Sequence, residues 1–505
     1  MSTLKKFAGQ TAIYGVSTVF SRLLGFILTP IYVKAFPTHI YGIFTYMYSW
    51  ASMVNAVMAL GMETTFFRYS NKPEIDKEKV YNNTFIVIAA ISTIFLAFAL
   101  LFSTTIAHWM HDGAETTIED YASYIRYFIF ILIIDAISVI PFAKVRADGR
   151  PLRYGLIKLI NILTFVGLNL LFILVIPEII KGRSGLASYF SGWYREGWIG
   201  YVFISNLIAS SITLVLLLPE LSKLKLRPDG LFIKNMLVYS FPVFIANISF
   251  IVNENLDKIF LKELLPANIA EQQVGIYAAC AKIAIFLSIF IQAFRLGAEP
   301  FFFSHQKNKN SSETYARIMN YFVIAVSVIF VALVANIEIL KHFIKASDPE
   351  EIELYWSGLR VVPILLFGYV SLGIYINLSI WYKLSDQTRY GLYISGVGAI
   401  VTIVMNLLFI PQYGYIASAW ISLAAYTSMM ILSYILGQKN YPIPYNLKKN
   451  LGYLAISIIL VILSFQVFDR NLIIGNGLLL LFLIGAFLVE KKELTAIFNE
   501  NTSNK

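Results

Sequence analysis

Apolar runs of about 20 residues recur from one end of this chain to the other. Each is long enough to cross a ~30 Å hydrocarbon layer as a helix. Composition agrees with that reading. Of 505 residues, 58% are hydrophobic and 14% charged, against about 25% charged in a soluble domain. No stretch stays polar for long enough to form a separate soluble domain. The expected fold class is all-α, a polytopic membrane protein. The first twenty residues, MSTLKKFAGQTAIYGVSTVF, have a basic start but too many polar residues for a signal-peptide core, and no small-x-small cleavage site follows. They read as an uncleaved first helix.

Fourteen transmembrane helices are expected, over roughly 10–33, 41–62, 82–106, 121–142, 153–176, 198–218, 237–261, 275–303, 316–340, 358–382, 390–411, 414–437, 450–468 and 472–489. Lys and Arg concentrate in every second loop, for example Lys144, Arg146, Arg150 and Arg153, or Lys223, Lys225, Arg227 and Lys234. The intervening loops carry far fewer, and the one around 112–120 has none. By the positive-inside rule the basic set is cytoplasmic, which places both the N and C termini inside.

An internal repeat organises the helices. RYGL stands at 153–156 and again at 389–392; NLLFI stands at 169–173 and again at 406–410. The two shifts differ by a single residue, which marks a duplication. Tyr41-Gly42-Ile43 and Gly275-Ile276-Tyr277 lie at a similar shift. The repeat carries spans one to six onto spans seven to twelve. Six is even, so the halves face the same way and are related by an axis along the membrane normal, as in parallel-repeat transporters. The expected organisation is an N-lobe over 1–230, a C-lobe over 231–445, and two further helices with a cytoplasmic tail over 446–505.

Charge inside the membrane costs about 3 kcal/mol per group and marks function or pairing. Arg22, Lys258, Lys282 and Arg295 lie well inside their spans, and Lys158 lies nearer an end. The acids are fewer: Asp135, Glu254, Asp257 and Glu299. Depth pairs Asp135 with Lys158, and one of Glu254 and Asp257 with Lys282. Arg22 and Arg295 have no acid at their own depth. Their guanidinium groups suit bidentate binding of an anion such as phosphate.

Other chemistry is sparse. His108 and His111, with Asp112 beside them, lack the Cys or second His cluster that a metal site would need. Cys280 is the single cysteine, so no intrachain disulfide can form. The net charge of +10 is spread over short inter-span loops rather than one face, so nucleic acid is not an expected partner. No P-loop, GxSxG, HExxH or nucleotide fingerprint occurs. No enzymatic activity, metal or cofactor is therefore expected. Any driving force would be the substrate gradient, the membrane potential or an ion gradient, with H+ or Na+ as the coupling ion and Asp135, Glu254, Asp257 and Lys158 as candidate coupling or charge-pairing groups.

Ser21-Arg22-Leu23-Leu24-Gly25-Phe26 resembles the Ser-Arg-x-x-Gly-Phe signature of the multidrug/oligosaccharidyl-lipid/polysaccharide (MOP) exporter superfamily. Tyr41-Gly42-Ile43-Phe44, the segment from Gly61-Met62-Glu63 to Phe67-Arg68-Tyr69, and Asp257-Lys258 followed by Val274-Gly275-Ile276-Tyr277 resemble it too. Order and spacing over nearly the whole chain carry the likeness, which is greatest to polysaccharide-type (Wzx-like) flippases. That resemblance implies an alternating-access flippase in the cell inner membrane, moving undecaprenyl-diphosphate-linked oligosaccharide for surface polysaccharide synthesis. It implies a cationic lumen that takes the diphosphate, with Arg22, Lys258, Lys282 and Arg295 as its candidates. It also implies that the two extra C-terminal spans form a groove for the lipid tail. The expected partners are that lipid-linked oligosaccharide, membrane lipids and polysaccharide polymerase machinery, with the chain itself a monomer. Two alternatives are a cation-coupled multidrug exporter of the same superfamily and a peptidoglycan lipid-precursor flippase. A glycan polymerase or ligase would need a large catalytic outer loop, which this sequence lacks.

Overall fold

The computed structural model describes residues 26–111, 116–182, 185–305, 310–385 and 387–503. Among them the secondary structure is helical, without a strand. Among the described residues eleven helices are long and apolar enough to cross a membrane, from Lys77–Leu101 to Leu472–Lys491. Two shorter apolar helices, Phe26–Ala35 and Gly200–Leu216, lie where the first and sixth spans are expected. Helix Thr38–Ala59 lies where the second is expected. The chain is a multi-pass membrane protein.

Local signals explain where helices begin and end. Asp76 accepts from the amide of Glu78, Thr117 from that of Asp120, and Asn446 from that of Lys449, each satisfying an amide that the first turn leaves unpaired. The second span breaks at Leu60 and Gly61, both at positive φ (43° and 68°), before Met62–Ser70 continues.

One boundary differs from the expectation. The sequence places a loop over roughly 262–274, yet helices Gly230–Leu264 and Ala267–His305 leave only Leu265 and Pro266 between them. Proline disfavours a helical residue before it, and Leu265 is extended at φ −94°, ψ 156°. The turn is confined to that dipeptide, so Lys262 and Glu271 become helical and meet at 3.9 Å.

The chain divides into two compact units. The first takes the described residues up to Ala278, with Ala346–Leu354 and Gly398–Ser418. Its core gathers Met58, Met62, Phe66, Tyr81, Ile88 and Ile140. Inside a bilayer, helices gain little from hydrophobicity and rely on close approach at small residues. A Cβ on Gly42 would run into the backbone carbonyl of Glu271, and one on Gly275 into that of Thr38. The glycines of the two matching Gly-Ile signals thus let helices from both repeats cross backbone to backbone. The repeat is visible again at its matching asparagines. Asn169 and Asn406 are both fully buried, and each donates to the carbonyl one turn earlier, Phe165 at 2.7 Å and Thr402 at 2.6 Å.

Loops assigned to one side of the membrane meet each other in this unit. On the basic side, Lys79 pairs with Asp229 and Lys225 with Glu78. On the other, Arg195 pairs with Asp120, the Thr38 amide donates to Glu351, and Ser347 donates to the Lys34 carbonyl.

The second unit takes Ala279–Lys345, Tyr355–Val397 and Ala419–Lys505. Its core includes Trp381, Tyr382, Ile394, Tyr426 and Met429. The last two spans dock on helix Ser311–Ala335 and its continuation. Asn336 and Asn476 exchange side-chain hydrogen bonds at 3.2 and 3.1 Å. Arg470 reaches Glu338 at 3.3 Å. A Cβ on Gly475 would sit 3.1 Å from the Ala335 carbonyl. Across the pair, buried Glu490 accepts from Lys449 at 2.7 Å and from the Tyr453 hydroxyl at 2.8 Å.

Candidate functional site

In the first unit, side chains from five helices surround a cavity of about 310 Å3. Helix Ile118–Ala147 contributes Asp135 and Arg146; Pro151–Leu170 contributes Lys158 and Asn161; Gly200–Leu216 contributes Asn206 and Ser210. Glu63 closes one side. Ser210 donates to Asp135 at 2.7 Å, and Arg146 pairs with Glu63 at 2.6 Å. The Lys158 ammonium lies 4.6 Å from the centroid of the Phe142 ring. Asn161 donates to Thr213, and Asn206 to the Tyr48 hydroxyl, each at 2.9 Å.

Asp135 and Lys158, matched by depth in the sequence, therefore line the same cavity. The three polar side chains beside them, Asn161, Asn206 and Ser210, carry no charge to stand out against an apolar run. Only the facing of three helices makes them a set. With two carboxylates and two cations around it, the cavity can hold water, exchange a proton or coordinate a small cation.

A second cluster forms around Asp257, which is 4% exposed. It accepts from Tyr277 at 2.7 Å, and from the amide and ammonium of Lys258 at 2.8 and 2.9 Å. The Lys258 ammonium also donates to the Glu254 carbonyl at 2.8 Å, while the Glu254 side chain itself is exposed. One turn before Asp257, buried Asn253 accepts from Thr402 at 2.8 Å. Asp257 thus holds the cation next to it in sequence, which depth matching between spans does not anticipate.

In the second unit, Lys282 and Arg295 stand on helix Ala267–His305. Arg295 lines a small cleft with Asn377 and Lys383. Arg22 lies outside the described residues, as does the side chain of Glu299. His111 contacts the Thr116 carbonyl and packs edge-on against Tyr121, 5.2 Å between ring centroids.

Comparison with known proteins places this arrangement. The family described as polysaccharide biosynthesis protein matches residues 7–306, more than half of the chain, and the MatE family matches residues 242–408. No curated protein matches. Among solved structures, a lipid II flippase MurJ in an inward closed conformation superposes with a TM-score of 0.69 at 13% identity, covering 96% of this chain and 100% of that one. An inward-facing multidrug resistance MATE transporter of the MOP superfamily gives 0.62 at 12% identity, covering 83% and 94%. The MATE multidrug transporter DinF-BH gives 0.57 at 16% identity, covering 88% and 97%. At such identities these likenesses establish the fold, and the family follows from the sequence match. The chain belongs to the polysaccharide biosynthesis protein family, and with it to the multidrug/oligosaccharidyl-lipid/polysaccharide exporter superfamily of membrane transporters.

Proposed function

We propose that this transporter flips an undecaprenyl-diphosphate-linked oligosaccharide from the inner to the outer leaflet of the cell inner membrane. The observation that carries the reading is the polysaccharide biosynthesis family match over residues 7–306. Two features support it. Cations outnumber acids within the expected spans, which favours an anionic headgroup, and two helices, Leu447–Val467 and Leu472–Lys491, follow the segments expected to form the repeat. Arg22, Lys258, Lys282 and Arg295 are the proposed diphosphate ligands. The Asp135–Lys158 cavity is the proposed coupling site for H+ or Na+, since a buried carboxylate can bind either while a partner cation sets the electrostatic balance. The chain acts as a monomer and hands its product to polysaccharide polymerase machinery.

The MatE match over 242–408 favours, as a second reading, a cation-coupled multidrug exporter. Reconstituted vesicles separate the two. A fluorescent lipid-linked oligosaccharide and a cationic dye are offered in parallel, and leaflet translocation is followed for each. Translocation of the glycolipid alone supports the flippase, whereas transport of the dye alone removes it.

A further inference from the structure

A second cavity, of about 360 Å3, opens in the first unit among loops that the charge pattern assigns to the outer face. Tyr194, Trp198 and Tyr201 form part of its wall, and Lys34, Glu178 and Glu196 stand around it. Its size is within the range of small-ligand sites.

The polar ends of all three rings are engaged. Tyr194 donates to the Phe172 carbonyl at 2.7 Å, within a π-helical turn over Leu171–Val175. The Tyr201 hydroxyl accepts from the Arg195 amide at 2.8 Å. Trp198 donates to Asp120 at 2.8 Å, and Arg195 holds the same carboxylate through two hydrogen bonds of 2.7 and 2.8 Å. Tyr194 and Tyr201 stack at 5.0 Å and 3°, with Trp198 edge-on to Tyr201 at 5.0 Å and 88°. The aromatic wall is thus set in place without a ligand, so ordering it at binding costs little.

Around that wall the charged groups balance. Lys34 and Lys181 face Glu178 and Glu196, and Lys181 lies 3.8 Å from Glu196. A net-neutral rim offers no selection for a bare phosphate. It offers ammonium donors and carboxylate acceptors beside rigid ring surfaces, the combination suited to a polyhydroxylated ring with apolar C–H faces. We propose that this cavity is a sugar-binding subsite for the glycan of the transported lipid, distinct from the groups that hold its diphosphate. The inference rests on the flippase reading and adds where the glycan docks.

Saturation-transfer NMR on the full chain in lipid nanodiscs tests it. The probes are one panel of free disaccharides containing hexose, N-acetylhexosamine, deoxyhexose and uronic acid residues, together with glycerophosphoethanolamine. At least one saccharide should receive saturation. That signal should be lost in Lys34→Ala/Glu178→Ala, whose two side chains are exposed and so spare the fold, and in Tyr194→Leu. No saturation of any saccharide, unchanged saturation in Lys34→Ala/Glu178→Ala, or a response from glycerophosphoethanolamine alone overturns the proposal. Glycolipid translocation is measured separately on the same preparation. Translocation without sugar binding sinks the subsite and leaves the flippase, whereas sugar binding without translocation leaves a sugar site but overturns its role in transport together with the flippase reading.

Discussion

Arg153, the first residue of the repeated RYGL tetrapeptide, ends 2.8 Å from Glu220, a side chain with no solvent exposure. Arg150 meets the other oxygen of that carboxylate at 3.0 Å. The repeat's conspicuous arginine is therefore a clamp between the start of helix Pro151–Leu170 and the end of Gly200–Leu216. Removing the acid leaves two cations facing each other. Glu220→Gln should lower stability by about 2 kcal/mol, below the ~3–5 kcal/mol of a fully buried pair because both arginines are about one-third exposed. A fall in the detergent melting temperature checks this, and an unchanged one refutes it.

The Gly42–Gly275 crossing leaves no room for a methyl group. Gly42→Ala and Gly275→Ala should each destabilise by about 1–3 kcal/mol through overpacking. Gly452→Ala, where a Cβ would meet open space, should be close to neutral. Equal melting temperatures for all three would contradict the crossing.

Lys449 and Glu490 are both largely buried, with side chains 16% and 5% exposed. Losing one partner strands the other. Lys449→Met and Glu490→Gln should each destabilise by about 2–4 kcal/mol, while the double substitution recovers part of the loss. A double-mutant cycle on thermal unfolding measures the coupling, and strict additivity would remove the pair as a unit.

Asp135→Asn keeps the Ser210 contact but discards the charge. Under the proposed coupling role, translocation should lose its dependence on an imposed ion gradient while glycolipid binding persists. Lys158→Met should alter the pH profile of translocation without changing Tm by more than a few degrees. Gradient dependence unchanged in both variants would remove Asp135 and Lys158 from coupling.

Asp229 lies before its helix, outside the spans. The Lys79 ammonium and the Phe232 amide bond its carboxylate and hold its pKa below the usual carboxylate value. A depressed pKa means that this cap's contribution is complete above the unfolded value, about 3.9, and is lost as pH falls through the lower folded one. Hydrogen exchange at Phe232 should therefore stay protected at pH 4.5 and lose protection only on stronger acidification. Asp229→Ala should lose it throughout.

Much of this protein was legible in one dimension. Apolar run length makes membrane helices unavoidable, because an unpaired amide in hydrocarbon costs several kcal/mol. The two RYGL and NLLFI copies announce a duplication, and the structure gives Asn169 and Asn406 matching burial and matching hydrogen bonds. Helical rise converts sequence position into depth, and Asp135 and Lys158, placed at one depth, line one cavity, where Asp135 takes its hydrogen bond from Ser210.

Tertiary structure alone decided the partners. Asn161, Asn206 and Ser210 join Asp135 only once three helices face one another. Asp257 takes Lys258 because backbone geometry brings an adjacent ammonium back onto it. Glu220 is buried between arginines that sequence assigns simply to a basic loop. Pro266 compresses an expected loop to a dipeptide and so turns Lys262 and Glu271 into facing helical residues. For the cavity set and for Glu220 the reason is the same. Hydropathy sets which segments enter the bilayer and how deep each residue lies, whereas rotation about each helix axis, which decides what a side chain meets, is set by packing between helices.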